Sequence, residues 1–215
     1  MSIERFGLSG VFLLAISLMM QGCAIMGAGT RQSTNSYVLN SLYSEKIETQ
    51  AVADLHDTGI LVGPVRMALY LDRVDIVIRD SQNQIRLADF SQWAGPLQEN
   101  FSRVLAENLS VLLTTDRVGI FPGTRAMLFD YNVTVNVTRF DGIPGERADL
   151  RARWGILDKS RKKMLFENHS MLTQPTKDDS LEALIAAESL ALSDLSREIA
   201  EAIKTLAERE TKGKN

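Results

Sequence analysis

Phe129-Asp130-Tyr131-Asn132-Val133-Thr134-Val135-Asn136-Val137-Thr138 is the stretch that decides the fold class. Odd-numbered positions are aromatic or branched and apolar; even-numbered ones are short and polar. Successive side chains of a strand point to opposite faces, so this alternation describes a strand with one dry face and one wet face. The pattern returns in Leu150, Ala152, Trp154 and Ile156, set against Asp149, Arg151 and Arg153. Asp158-Lys159-Ser160-Arg161 then turns the chain into a further strand, Lys163 to Thr173. Asn132-Val133-Thr134 and Asn136-Val137-Thr138 match glycosylation sequons, but the alternation explains them as the wet face.

Moving outward, Leu97 to Leu113 predicts a helix. Leu97, Phe101, Val104, Leu105, Leu109 and Leu112 form one stripe at 3.6 spacing, Pro96 sits at its start, and Glu99 precedes Arg103 by one turn. A second helix is expected from about Ser180 to Ala207, capped by Asp179 with Glu182 and striped by Leu181, Ile185, Leu192, Leu195, Ile199, Ala202 and Leu206. Asp75–Asp80 and Ile85–Phe90 read as a hairpin around Ser81-Gln82-Asn83-Gln84. Ser36–Leu42, Gly59–Met67 and Arg117–Phe121 read as strands, with Gly63-Pro64 marking a bulge or an edge. Two amphipathic helices and strands with one wet face fit an α+β fold: a two-layer sandwich, mainly antiparallel, with both helices packed on one face of the sheet.

The amino end has another character. Phe6 to Met20 is an apolar run of 15 residues, followed by Gln21-Gly22-Cys23-Ala24. A bilayer-spanning helix needs ~17–25 residues, whereas this length suits a signal-peptide core. Cys23 is the one cysteine in the chain. Behind a greasy segment and a small residue it reads as a lipid attachment point, carrying an N-acyl group and S-diacylglycerol. Ala24, where Asp would suggest retention at the inner membrane, points by analogy to the outer membrane, facing the periplasm of a Gram-negative cell. The organisation expected is residues 1–22 as signal peptide, 23–35 as lipidated flexible tether, 36–208 as one domain and 209–215 as polar tail.

Net charge is −3 with acidic and basic residues interspersed, which argues against a nucleic-acid partner. The chemistry-bearing residues are sparse. His56 lies between Asp54 and Asp57, and His169 lies in a strand, neither with a metal-ligand partner at the right spacing. Asp178-Asp179 reads as helix capping. No nucleophile elbow or phosphate-cradling loop appears, so the expectation is no enzyme, no metal and no cofactor beyond the covalent lipid. Tyr70-Leu71-Asp72-Arg73 and Trp93 are the candidate partner-contact residues, since aromatics and Arg are enriched at binding hot spots.

Several segments read together carry a resemblance: Gly63-Pro64-Val65-Arg66, Tyr70-Leu71-Asp72-Arg73, Ile76-Val77-Ile78-Arg79, Ile85-Arg86-Leu87-Ala88-Asp89-Phe90, Trp93-Ala94-Gly95-Pro96-Leu97 and Val104-Leu105-Ala106-Glu107-Asn108-Leu109. From about Tyr37 to the final helix the chain resembles the PqiC/YmbA-type (ABC-type transport auxiliary) lipoproteins. The resemblance implies an outer-membrane lipoprotein that docks an inner-membrane-anchored MCE protein of an intermembrane lipid-transport system. Because such a partner is cyclic, a homo-oligomeric ring of this chain is an extension of the same expectation. The alternatives are a direct lipid carrier with an apolar cavity between sheet and helices, and a periplasmic hydrolase.

Overall fold

The alternating stretch becomes a 13-residue strand, Tyr131–Ile143. In this computed structural model residues 33–42, 51–122 and 129–213 are described. The expected signal peptide, Cys23 and most of the tether lie outside the described residues.

In chain order the elements are β1 (Asn35–Tyr37), β2 (Ile60–Met67), a 3₁₀ turn (Leu69–Leu71), β3 (Asp75–Arg79), β4 (Ile85–Trp93), α1 (Leu97–Leu113), β5 (Val118–Ile120), β6 (Tyr131–Ile143), β7 (Arg147–Asp158), β8 (Met164–Pro175) and α2 (Leu181–Lys212). Residues from Thr34 onward form one compact unit. Among the described residues no helix is long and apolar enough to cross a membrane.

β6, β7 and β8 form one long antiparallel ladder. The far edge of β6 is shared by two strands. Its first half, Tyr131 to Val137, pairs in parallel with β2, and its end meets β3 at Ile78↔Gly142. The sheet therefore forks, with β2–β5 on one prong and β3–β4–β1 on the other. The α+β sandwich stands as expected. Antiparallel pairing dominates the long ladders, while β1–β4, β2–β5, β2–β6 and β3–β6 are parallel, so the sheet is mixed. A parallel pair needs a crossover, which α1 supplies between β2 and β5. Alternation reports which face is dry and is blind to strand direction.

The dry face meets the helices. Every residue of the expected α1 stripe is buried, and Phe101 meets Phe140 edge to face at 5.4 Å and 82°. A Cβ at Gly142 would collide with the Arg147 carbonyl and Leu184 Cδ1, so glycine lets α2 close on the end of β6. Gly63-Pro64 falls where the β2–β6 register breaks, between Val62 and Val65, which makes it a bulge within an interior strand.

Several local expectations are corrected. β1 ends at Tyr37; Leu39 and Leu42 instead plug the core, and the Leu42 N–H donates to Asn108 Oδ1 at 2.8 Å. Arg103 pairs with Glu107 at 2.7 Å, not with Glu99. The cap of α2 is Ser180, whose hydroxyl accepts from the Ala183 N–H at 3.1 Å, one residue later than Asp179. α2 runs to Lys212, because Arg209 and Lys212 in its last turn complement the helix dipole; the polar stretch beyond Glu208 is thus largely helix. Asn132 is buried, donating to the Asp158 carbonyl at 2.8 Å and accepting from Arg161 Nε at 3.1 Å. The turn after β7 covers that end of the outer face.

Candidate partner-contact site

The connection from β2 to β3 is short and tied at every step. The Ala68 N–H donates to the Val137 carbonyl at 2.9 Å, the Leu71 N–H to Ala68 at 2.8 Å and the Arg73 N–H to Leu71 at 2.9 Å. The Trp93 N–H then takes the Val74 carbonyl at 2.7 Å. A three-residue turn with consecutive apolar residues cannot turn all of them inward. Leu71 is buried at 1% exposure, and its neighbour Leu69 is left 88% exposed, with Val74 at 47%.

Tyr70 is the peg that fixes this turn to the sheet. Its hydroxyl donates to Asp141 Oδ2 at 2.7 Å. Asp141, fully buried on β6, is also gripped from β3 by Arg79 in a two-point fork, Nε to Oδ1 at 2.7 Å and Nη2 to Oδ2 at 2.8 Å. Arg139 Nε reaches Asp141 Oδ1 at 3.1 Å, and its Nη2 reaches Asp149 Oδ2 on β7 at 2.8 Å. Asp149 Oδ1 accepts from the Thr173 hydroxyl at 2.8 Å. Four strands and the turn are thus laced by one charged network on the face away from the helices.

Burial alone would raise the Asp141 pKa. The hydrogen bonds from Arg79 and Tyr70 and the charges of Arg79 and Arg139 outweigh it and hold the carboxyl below the usual carboxylate range. Tyr70 moves up, through burial first and then its bond to Asp141 and that group's negative charge. Glu188 on α2 is the opposite case. It is wholly buried, its Oε2 has no partner, and burial with the nearby Asp141 charge pushes its pKa well up.

The candidate residues from the sequence therefore separate by role. Tyr70 is half-buried and acts as the peg. Leu71 and Trp93, 1% and 3% exposed, support the turn from beneath and do not reach the surface. Asp72 and Arg73 are exposed. Leu69, Val74 and Phe90, at 88%, 47% and 52% exposure, join them as exposed apolar side chains that sequence reasoning did not single out. The signal for Leu69 was present, since Leu69-Tyr70-Leu71 is too short to bury all three. Nothing local announced Asp141, because its partners are far away in sequence.

The remaining chemistry-bearing residues do not converge. His56 Nε2 lies 3.3 Å from Asp54 Oδ1 at an exposed position, and His169 lies exposed on β8. Asp178 accepts the Ser180 N–H at 2.9 Å. No group of His, Cys, Asp and Glu among the described residues is arranged to hold a metal ion. A surface depression of about 710 Å³ runs beside α1, lined by Val38, Pro96, Gln98, Arg103, Phe121 and neighbours.

A family model described as ABC-type transport auxiliary lipoprotein component matches residues 37–200. The fold is similar to a crystal structure from Xanthomonas campestris at a TM-score of 0.65 and 14% identity, covering 83% of this chain and 99% of that one. A crystal structure of an uncharacterized protein is similar at a TM-score of 0.64 and 18% identity, covering 80% and 99% respectively. At such identities the likeness shows the fold. No curated protein matches the chain.

Proposed function

This chain belongs to the family of ABC-type transport auxiliary lipoprotein components, and on that premise we propose that it is the outer-membrane docking component of an MCE-type lipid-transport system. In this reading Cys23 carries the acyl groups, the tether hangs the domain from the periplasmic leaflet, and the turn from Leu69 to Val74 meets the MCE assembly. The chain binds and positions; it is not the catalyst.

The observation that supports docking is the rigidity of the exposed turn. Leu69 projects almost fully into solvent from a backbone held by Tyr70 and four main-chain hydrogen bonds. An exposed apolar side chain on a pre-ordered loop loses little entropy on binding. The carrier reading is less favoured, because the space between sheet and helices is filled by Phe101, Leu105, Leu109, Phe140 and Leu150, each fully buried.

The test is photo-crosslinking from position 69 or 73 in cells producing both proteins. The expected result is a crosslink to the MCE protein, weakened by Leu69→Asp in a variant of unchanged melting temperature. Clean failure from both positions overturns the docking reading. The anchor is tested apart from it: radiolabelled palmitate should label the chain, and Cys23→Ser should release it from the membrane fraction.

A further inference from the structure

On the face away from the helices β7 carries an outward column, Arg147, Asp149, Arg151, Arg153 and Gly155. The two ends of this face are treated differently. At one end Arg79, Arg139 and Arg147 all hold carboxylates, those of Asp141 and Asp149. At the other end Arg151 and Arg153, with Arg66 on β2, form no ion pair with any described residue.

The strand register brings these cations together. Arg66 lies opposite Asn136, Asn136 opposite Arg153 and Arg153 opposite His169, so the four make one row across β2, β6, β7 and β8. Residues paired in this way share a face, and all four are exposed. Arg66 and Arg153 stand two strand spacings apart, about 10 Å, with the Asn136 amide between them. Arg151 follows on one side, opposite Met171; Glu167 stands on the other, opposite Gly155, and bridges to none of the three arginines. Like charges side by side on a sheet repel, and here they stay uncompensated in a chain of net charge −3. The row is also a depression with an apolar lip. A hollow of about 320 Å³, the size of a small-molecule site, is lined by Arg66, Asn136 and Arg153 together with Pro64 and Met164. Gly155 makes room for that lip: a Cβ there would lie 2.8 Å from Met164 Sδ, so the thioether lies across the sheet beside the cations. Met164 and Met171, on either side of the row, are 48% and 67% exposed.

We propose that this row is a phospholipid-headgroup site: Arg66 and Arg153 grip one phosphate across Asn136, and Met164 and Met171 cover the first methylenes of its glyceride. Guanidinium forks match phosphate oxygens in pairs. Methionine adapts to flexible apolar chains, and basic pockets beside a membrane take phospholipid headgroups. A soluble phosphate ester would use the arginines and leave the thioethers bare. Lipid as the occupant rests on the membrane attachment proposed above; the uncompensated charge does not.

The test is made in cells fed radiolabelled phosphate and producing the full-length chain with a photo-reactive residue in place of Met164, Met171 or, as a control on an exposed side of α2, Glu201. The acyl groups expected on Cys23 contain no phosphate, so the label reports only a captured phosphorylated molecule. Positions 164 and 171 should take up label, position 201 should not, and the mass of the labelled peptide should fit a glycerophospholipid. Arg66→Gln with Arg153→Gln should cut capture about thirtyfold, the effect of two lost surface arginines, at an unchanged melting temperature. No label at 164, a peptide mass fitting a water-soluble phosphate, capture of a protein instead, or full capture by the doubly substituted chain would each overturn the proposal. If palmitate fails to label the chain, the anchor falls while capture at 164 still decides this site; a palmitate-labelled chain without capture overturns this site alone.

Discussion

Asp141 and Glu188 are two buried carboxylates close enough that the charge of the first raises the pKa of the second, yet the structure treats them oppositely. Asp141 receives a tyrosine hydroxyl and two arginines and stays ionised. Glu188 has an oxygen with no partner and retains its proton. A buried charge is tolerable when surrounded by donors and expensive otherwise. The paired carboxylate organises the outer face and the exposed turn. The unpaired one sits in the helix–sheet core, where neutrality is its means of being buried.

The largest contrast should come from Asp141→Ala, which strands Arg79 and frees Tyr70. Losing one partner of a buried pair costs about 3–5 kcal/mol, to be read from urea unfolding. Acidity should do the same gradually. Asp141 is depressed in the fold, so its contribution is present above the ordinary aspartate range and lost as pH falls through its lowered value. Glu188 tilts the profile the other way: its pKa is raised, so stability declines as pH rises from the ordinary glutamate range through the raised value. Glu188→Gln should flatten that slope and gain about 1–2 kcal/mol at pH above the raised value; a variant no more stable than the parent there would show that the proton is not what matters. Tyr70→Phe should cost about 1 kcal/mol and loosen the turn, visible as faster amide exchange at Leu71 and Arg73. Leu69→Asp should sit at the bottom of the scale, within about 0.5 kcal/mol of the parent in stability, while still weakening partner capture.

The same contrast explains what could be read in advance. α1 was legible to its end residues, because a stripe of Leu97, Phe101, Val104, Leu105, Leu109 and Leu112 has one physical explanation. The three long strands were legible in place, two of them from their alternation, but not to their ends: β6 runs on from Thr138 to Ile143 and β7 spans Arg147–Asp158. The fork in the sheet was not, since pairing partners such as Val62 and Val133 are set by three-dimensional proximity. At the candidate site, Tyr70 to Arg73 was picked out by residue type, but nothing local divided it into the peg Tyr70, the buried Leu71 and the exposed Asp72 and Arg73. Asn132 misled for the same reason: alternation assigned it to a face, and a turn from elsewhere covered that face.

Periodicity and composition established the two layers, the helices and the greasy amino end, because each is a property of residues near one another along the chain and needs no partner to be recognised. Which strand lies beside which, which carboxylate keeps its proton and which edge is left open are properties of neighbours far apart in sequence. Burial and charge pairing act through space, so these were settled when the chain folded and Arg79, Arg139 and Tyr70 closed on Asp141 while Glu188 was enclosed without a donor.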